Sequence, residues 1–500
     1  MGWLGIFGAL VSCTNDSEFN AGNRAPEVRI ATESINLPDS VKLNTRVQMF
    51  WSGEDADGYV KGYRISWSTD KAQALAQLPA APMVTATDSS FLFSFSGSSD
   101  TASIHFFVVA VDEKGLQSQS PAYLKIPVRN SPPFARFLDD GFPLGDTVWS
   151  VLSMPYQVGD PDGFDNLAEV ALKVNDGDWV VVPKNLSFLS LVPTDPSSSG
   201  NTSALLYAGE NLSTTNSEPQ PLSGITLTGL KMNDFNRIYI RAKDQAGAVG
   251  LDTTLKAYFF KRKTADLLLV DAYKGEGAFI GDTLYTTMLR DVKNYDRIDL
   301  NVQNGINQPL FWNSTFYLLC KQYKMVFWYS DILTNLPGQN PLMLTSAASP
   351  LIQYLRFDGK LLCSVTFPDA PNQMSMDDPV FSLAPIDSIS RLSGIARLRR
   401  NVPVLANKPG YVDLQSTNNL ITGIDVFYPK PGVDTAFIMP KTSLTNTYTG
   451  PDLPVALRTK NPFNGRTNMV FFTMELLYLS GNRQALRTNF EKIFNDEFNW

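Results

Sequence analysis

Histidine and cysteine are scarce in this chain. Its 500 residues include one histidine, His105, and three cysteines, Cys13, Cys320 and Cys363. Zinc and most transition-metal sites are built from these two residue types, so we expect no such metal site and no cofactor. An oxygen-ligand site for calcium stays open. Three cysteines are also too few for a disulfide framework.

Positive charge is in short supply as well. Lysine and arginine number 42 against 49 aspartate and glutamate residues, which gives a formal net charge of −7. Because binding to nucleic acid requires a concentrated basic face, we expect no nucleic-acid partner. The composition, with 43% hydrophobic and 18% charged residues, is typical of folded structure rather than disorder.

No apolar run is long enough to span a bilayer, and residues 1–12 have the length of a signal-peptide core. The run ends in Leu10-Val11-Ser12-Cys13. This resembles the lipobox of bacterial lipoproteins, which implies that residues 1–12 are removed and that Cys13 carries the lipid. No lysine or arginine precedes the run, unlike in an ordinary signal peptide, which leaves open whether Met1 is the true start.

An acidic cluster in the linker 13–25 points to the cell surface. Asp16-Ser17-Glu18 resembles the tag that exports lipoproteins of Bacteroidota to the outer face of the outer membrane. Several triplets of Asp, Ser or Thr and an aliphatic residue, such as Asp146-Thr147-Val148, resemble the O-glycosylation sequon of that group. The same triplets are also ordinary turn and helix-cap chemistry. The resemblance implies a lipid-anchored, surface-exposed protein of the outer membrane.

Residues 26–128 and 131–262 each alternate short β-branched and aromatic runs with turn residues, which predicts two β-sandwich domains, the second one longer. Two features repeat: Asp55-Ala-Asp-Gly58 returns as Asp160-Pro-Asp-Gly163, and Asp112-Glu-Lys-Gly115 returns as Asp244-Gln-Ala-Gly247. Both segments resemble immunoglobulin-like or fibronectin type III-like modules. We interpret these Asp-Gly motifs as turns between strands, with calcium ligation as the alternative.

Three tryptophans and the histidine lie in predicted strands or beside them. Trp51, Trp67 and Trp179 could form a platform for sugar stacking, but strand tryptophans in a sandwich are more often core residues. His105 lies within an apolar strand, which indicates a packed or rim histidine rather than a catalytic one.

Residues 264–500 show a different pattern, typical of an α/β domain with a parallel sheet. Aliphatic runs such as Ala265–Tyr273, Tyr323–Ser330 and Gly359–Val365 predict strands buried on both faces, separated by helices near Asp282–Val292 and Pro350–Phe357. Asp282 stands where a helix N-cap is expected. The order resembles class I glutamine-amidotransferase-like domains and the related flavodoxin-like fold.

The catalytic residues that this resemblance implies are missing. An amidotransferase of this kind needs a cysteine nucleophile on a tight turn and a histidine base, but no histidine follows residue 105. Cys363 lacks flanking glycines and Cys320 lies in an apolar helix, so we expect two inert thiols. Lys274–Gly277 is too short and too acidic for a phosphate loop.

One crevice is the default place for a ligand. Asp271, Ser330 and Asp331 follow predicted parallel strands, and the carboxyl ends of such strands meet at one edge of the sheet. Residues 368–467, rich in proline, asparagine, serine and threonine, predict a long insertion near that edge, of the kind that often binds partners.

Together these features favour a surface lipoprotein that is not an enzyme. We expect a structural or interaction component, anchored by its lipid and bound to other proteins at the cell surface. The alternative is a surface lipoprotein that binds or processes glycans, because 49 carboxylates leave a hydrolytic pair possible.

Overall fold

The computed structural model describes residues 22–32, 43–44, 46–93, 101–143, 145–273, 278–300, 309–331, 343–366, 377–390, 396–424, 426–445 and 448–499. The predicted signal peptide, the lipid site Cys13 and the acidic cluster lie outside these residues, as does Lys274–Gly277. No helix within these ranges has both the length and the hydrophobicity needed to cross a bilayer.

The chain is mostly β-structure and divides into two compact units. The first unit is Met1–Pro133 with Gly159–Ala168 and Lys243–Val249, and the second is Phe134–Val158, Glu169–Ala242 and Gly250–Trp500. The expectation of a multidomain chain rich in β-sheet is thus confirmed.

The first sandwich lies in the first unit and has two sheets, ordered β1-β3-β6 and β2-β8-β7-β4-β5. Its elements are β1 (Glu27–Thr32), β2 (Leu43–Asn44), β3 (Arg46–Glu54), β4 (Val60–Ser68), α1 (Lys71–Gln77), β5 (Met83–Val84), β6 (Asp88–Leu92), β7 (Thr101–Asp112) and β8 (Ala122–Arg129). Alternate residues of β3 face inward, because side chains along a strand point to opposite faces of the sheet. Trp51 is one of them and is 4% exposed, which confirms that it is a core residue.

The second sandwich has three sheets, ordered β16-β15-β14-β11-β9, β13-β12-β18-β19 and β10-β20-β17. Its strands are β9 (Phe134–Phe137), β10 (Thr147–Trp149), β11 (Leu152–Gly159), β12 (Leu167–Val174), β13 (Val180–Val182), β14 (Phe188–Pro193), β15 (Asn201–Ala208), β16 (Thr226–Lys231), β17 (Asp234–Asn236), β18 (Ile238–Asp244), β19 (Thr253–Thr254) and β20 (Tyr258–Lys261). Most are short and end at turn residues, which is the pattern that predicted a sandwich.

The C-terminal part of the second unit contains a nine-stranded sheet, ordered β22-β21-β23-β24-β33-β32-β31-β27-β28. Its elements begin with β21 (Leu267–Asp271), α2 (Ala278–Leu289), β22 (Tyr295–Asp299), α3 (Tyr317–Cys320), β23 (Met325–Ser330), α4 (Met343–Arg356), β24 (Leu361–Val365) and α5 (Pro379–Leu383). They continue with β25 (Ile386–Ser390), β26 (Ala396–Leu398), β27 (Pro403–Ala406), β28 (Leu414–Gln415), β29 (Ile421–Ile424), β30 (Val426–Pro429), β31 (Asp434–Met439), β32 (Leu453–Lys460), β33 (Thr467–Phe472) and α6 (Arg483–Glu491).

Five strands of this sheet, β22, β21, β23, β24 and β33, pair in parallel. The aliphatic runs that form β21, β23 and β24 are buried on both faces, as the sequence predicts. Helices α3 and α4 contribute to one hydrophobic core and α2 and α6 to the other. Helix α4 begins at Met343 rather than at Pro350, and α2 begins at Ala278, so Asp282 lies inside that helix and not at its N-cap.

The segment 368–467 differs from the expected insertion. Strands β27, β28, β31 and β32 all come from it, and they extend the parallel sheet with antiparallel pairs. The sequence signal is weak there because β27 and β28 are short and β27 and β32 contain proline. The antiparallel pairing that continues outward from β33 identifies these segments as sheet.

Candidate functional site

The predicted crevice residues do gather at the carboxyl edge of the parallel strands. Asp271 ends β21 and Ser330 ends the adjacent strand β23, with Asp331 directly after it. Asp271 is 4% exposed and Ser330 is 2% exposed, whereas Asp331 is half-buried. The Ser330 hydroxyl is buried and has no hydrogen-bond partner within the described part of the chain. An unsatisfied buried polar group of this kind is uncommon and deserves an explanation.

Arg297, on the edge strand β22, gathers three carboxylates. Its Nη2 lies 2.6 Å from Oδ2 of Asp271, 3.2 Å from Oδ1 of Asp282 and 3.6 Å from Oδ2 of Asp299. Burial raises the pKa of Asp271, and the hydrogen bond from Arg297 offsets part of that rise. The single positive charge of Arg297 faces three carboxylates, so this part of the site is negative.

Glu475 forms the second polar centre at the same edge. It follows β33, is 3% exposed, and accepts hydrogen bonds from the hydroxyls of Tyr273 at 2.8 Å and Thr366 at 2.7 Å. Burial raises the pKa of Glu475 to about 7, and the charge of Asp331 adds to the rise. Near neutral pH this carboxyl group can therefore either hold or release a proton.

Tyr273 connects the two centres. Its backbone N–H donates to Oδ1 of Asp271 at 3.1 Å, while its hydroxyl bonds to Glu475. The hydroxyl of Tyr285 lies 3.5 Å from that of Tyr273 and 3.2 Å from Oγ of Ser364. A continuous chain of buried polar groups thus runs across three parallel strands, and its members satisfy one another.

The two thiols lie away from this chemistry. Cys363 is in the middle of β24 and Cys320 ends α3, and both are 0% exposed. Burial raises the pKa of both thiols, so the thiolate form is disfavoured. Within the described ranges, no three histidine, cysteine or carboxylate side chains form a group that could hold a metal ion.

Several residues of the site are missing from the sequence prediction. Arg297 lies in a short strand between Asp296 and Ile298 and has the sequence pattern of an ordinary solvent-facing position. Glu475 follows the long apolar run of β33, and a charged residue directly after a buried strand is the one signal that could have identified it. The sequence predicts that Tyr273 lies in the strand itself, whereas β21 ends at Asp271.

The aromatic residues and the histidine divide between core and surface. Trp67 packs edge-on against Phe93 with ring centroids 5.0 Å apart. Trp179 is only half-buried, and Cζ of Arg241 lies 4.1 Å from its ring centroid, so the core interpretation is wrong for this residue. Nδ1 of His105 lies 2.7 Å from the hydroxyl of the exposed Tyr123, so the histidine lies on the partly exposed face of β7, which pairs with β4 on one side and β8 on the other.

Comparison with solved structures gives likenesses to β-sandwich modules. No protein-family model and no curated protein matches the chain. Among solved structures, the PKD1 domain of Vibrio anguillarum Epp is 17% identical, over 22% of this chain and 98% of its own, with a TM-score of 0.14. The fibronectin(III)-like modules of Clostridium thermocellum CbhA are 12% identical, over 46% of this chain and 94% of theirs, with a TM-score of 0.16. Domains A168–A170 of titin are 10% identical, over 48% of this chain and 99% of theirs, with a TM-score of 0.14.

Proposed function

We propose that this protein is a surface-exposed lipoprotein of a bacterial outer membrane, of the Bacteroidota type, and acts as a non-catalytic structural or interaction component. In this proposal Cys13 carries the lipid. Two sandwich modules of the immunoglobulin or fibronectin type III kind, residues 26–128 and 131–262, hold residues 264–500 away from the membrane. Other surface proteins are the partners.

The observation that carries the spacer role is that the segment joining the two modules is hydrogen-bonded. Asn130 is 4% exposed, and its Nδ2 donates to Oδ2 of Asp244 at 2.5 Å. The backbone N–H of Ser131 donates to Oδ2 of Asp162 at 2.7 Å. A connecting segment with buried, paired polar groups differs from a flexible linker of glycine and serine, and a spacer requires this property.

The non-catalytic role has support from the buried thiols. In an amidotransferase-like scaffold the cysteine must be exposed and activated, whereas Cys363 is 0% exposed and burial raises its pKa. The parallel order β22-β21-β23-β24-β33 is what an amidotransferase-like or flavodoxin-like ancestry would leave. We propose that the C-terminal domain is such a scaffold that has lost its catalytic residues.

The proposal is tested by purifying the protein from membranes with its bound partners. The lipidated chain is extracted in mild detergent after chemical cross-linking of whole cells, and the bound proteins are identified by mass spectrometry. We expect the same outer-membrane or surface proteins in each replicate. Protease added to intact cells should also cleave the protein. If cleavage requires breakage of the outer membrane, the protein is not surface-exposed.

The alternative function, glycan binding, is favoured by one surface feature. On the sheet β13-β12-β18-β19, Trp179 lies beside two cations, with Nζ of Lys173 5.1 Å from its ring centroid and Cζ of Arg241 at 4.1 Å. A stacked guanidinium keeps its N–H groups in plane for a carboxylate, which suits an acidic sugar. Binding to uronic-acid polysaccharides that is lost in Arg241→Ala but kept in Val181→Ser, on an exposed position of the same sheet, would favour this function.

A further inference from the structure

The repeated Asp-Gly motifs form two copies of one side-chain arrangement. In the first copy, Nδ2 of Asn23 donates to Oδ2 of Asp112 at 2.5 Å, and in the second, Nδ2 of Asn130 donates to Oδ2 of Asp244 at 2.5 Å. In both, the backbone N–H four residues after the aspartate donates to its Oδ1 at 2.7 Å. The arrangement therefore joins an asparagine before the first strand of a module to an aspartate near its end.

The second aspartate of each Asp-x-Asp-Gly turn holds the residue that follows this asparagine. The backbone N–H of Arg24 bonds to both carboxylate oxygens of Asp57, at 3.2 and 3.1 Å, and that of Ser131 bonds to Asp162 at 2.7 Å. The glycines of the two Asp-x-x-Gly turns correspond too, because Gly115 and Gly247 have φ angles of 88° and 93°, which favour glycine. These hydrogen bonds account for the repeated side-chain arrangement without a ligand.

One buried polar atom in each copy has no hydrogen-bond partner within the described residues. The amide oxygen Oδ1 of Asn130 is buried and accepts no hydrogen bond within the described chain, and the same is true of Oδ1 of Asn23. Asn130 is 4% exposed, so its oxygen has little access to bulk water. Nδ2 of the Asn130 carboxamide bonds to Asp244, and the N–H of its neighbour Ser131 bonds to Asp162, so the side chain that carries the unpartnered oxygen borders the acidic cluster. A buried polar atom that recurs without a partner in both copies points to a missing ligand.

The cluster in the second copy concentrates negative charge. Asp160 accepts from the backbone N–H of Asp162 at 2.8 Å and from Nδ2 of Asn166 at 3.1 Å, and both donors are neutral. Burial raises the pKa of Asp160, and the charges of Asp162 and Asp244 add to the rise. Asp244 is 1% exposed and its hydrogen bonds also come from neutral groups. Carboxylates with little access to water are costly to hold charged unless a positive charge joins them, and the nearby Arg46 bonds to the backbone oxygen of Asp162 and to the side chain of Asp165.

The chemistry of these groups selects the ion. All the candidate ligand atoms are carboxylate or amide oxygens, which suit a hard cation and not zinc or copper. Mg²⁺ demands a near-ideal octahedron and keeps most of its water, whereas Ca²⁺ accepts irregular sets of carboxylate, amide and water oxygens. The three carboxylates do not by themselves form a metal-holding group, so the amide oxygen and water are needed to complete the shell.

We propose that the second cluster binds Ca²⁺ between Oδ1 of Asn130 and the carboxylates of Asp160 and Asp244, with water as the remaining ligand. The ion neutralises the cluster and fixes the segment that joins the two modules. A set with few protein ligands places the dissociation constant in the range of about 10⁻⁴ to 10⁻³ M that extracellular modules show.

The test is a calcium titration of the full chain in detergent, freed of ions with EDTA. Isothermal calorimetry is expected to give a dissociation constant within that range, and CaCl₂ should raise the unfolding temperature more than MgCl₂ does. Asp160→Asn keeps an oxygen for the Asp162 N–H but removes a charge, and should weaken calcium binding at least tenfold. Asp165→Asn is the matched control in the same loop, because Asp165 pairs with Arg46 at 3.0 Å, and it should leave the affinity unchanged.

A second variant distinguishes loss of the calcium site from simple misfolding. Asn130→Asp keeps an oxygen at the same position and adds a negative charge. Without calcium this variant should unfold at a lower temperature than the wild type, and calcium should restore its stability. The proposal is overturned if calcium neither binds nor raises the unfolding temperature, if Asp160→Asn binds calcium as well as the wild type, or if calcium fails to rescue Asn130→Asp.

Discussion

The hydroxyl of Tyr273 donates a 2.8 Å hydrogen bond to Oε2 of Glu475, across 202 residues of chain. Both side chains are almost fully buried, at 0% and 3% exposure. The bond joins the carboxyl ends of two parallel strands and holds an acid whose pKa lies near 7. This pair is therefore the most pH-sensitive part of the candidate site.

The stability of the fold should depend on pH through Glu475. Its folded pKa of about 7 lies above the ordinary value of 4.5, so its contribution is fully present below pH 4.5 and is lost as the pH rises to about 7. The loss amounts to about 3 kcal/mol. Chemical denaturation should show that the free energy of unfolding of the wild type falls by this amount between pH 4.5 and 8. In Glu475→Gln this fall should be absent. Glu491→Gln, at a half-buried helix position paired with Arg487, should keep the wild-type dependence. Parallel curves for wild type and Glu475→Gln would contradict the assignment.

Cys320 and Cys363 should not react with thiol reagents in the folded protein. Both are 0% exposed, and burial raises the pKa of both thiols. Labelling with a chromogenic disulfide is expected only after denaturation, and each Cys→Ala change should cost about 1 to 3 kcal/mol through lost packing. Rapid labelling of Cys363 under native conditions would instead indicate an accessible nucleophile and revive an enzymatic function.

Deletion of residues 403–460 should unfold the C-terminal domain. The segment supplies β27, β28, β31 and β32, and its loss exposes the apolar strand β33 as a new sheet edge. We expect aggregation and loss of the near-ultraviolet circular dichroism signal. Leu420→Ser, at a position that is 42% exposed within the same segment, should fold normally. A soluble, folded deletion variant would show that the parallel strands are stable alone.

Cys13→Ala should move the protein from the membrane fraction to the soluble fraction. Acyl chains are the membrane anchor in our proposal, and no helix of the described residues can cross a bilayer. The readout is fractionation followed by immunoblotting, with Cys320→Ala as the control that stays in the membrane fraction. Retention of Cys13→Ala after partners are stripped by high salt would rule out a lipid anchor at this position.

Local patterns were enough for the elements that are regular in sequence. The aliphatic runs of β21, β23 and β24 predicted buried parallel strands, because a strand covered on both faces has no polar alternation. The repeated Asp-Gly turns predicted two modules, although not that the turns hold the asparagines before them. The boundaries of helices α2 and α4 were less accurate; for α4 the reason is that Pro350 lies inside the helix, whereas a proline in a helical pattern favours a helix start.

The sequence by itself determined that the chain is rich in β-sheet, that the C-terminal domain contains no histidine, and that Asp271 and Ser330 lie at strand ends. These properties follow from composition and from periodicity within a few residues. The tertiary structure alone decided that residues 403–460 complete the sheet, that Arg297 gathers three acids, and that Glu475 meets Tyr273. Each of these depends on pairing between segments far apart in the chain, and a local pattern fixes which face a residue occupies but not which distant residue lies opposite it.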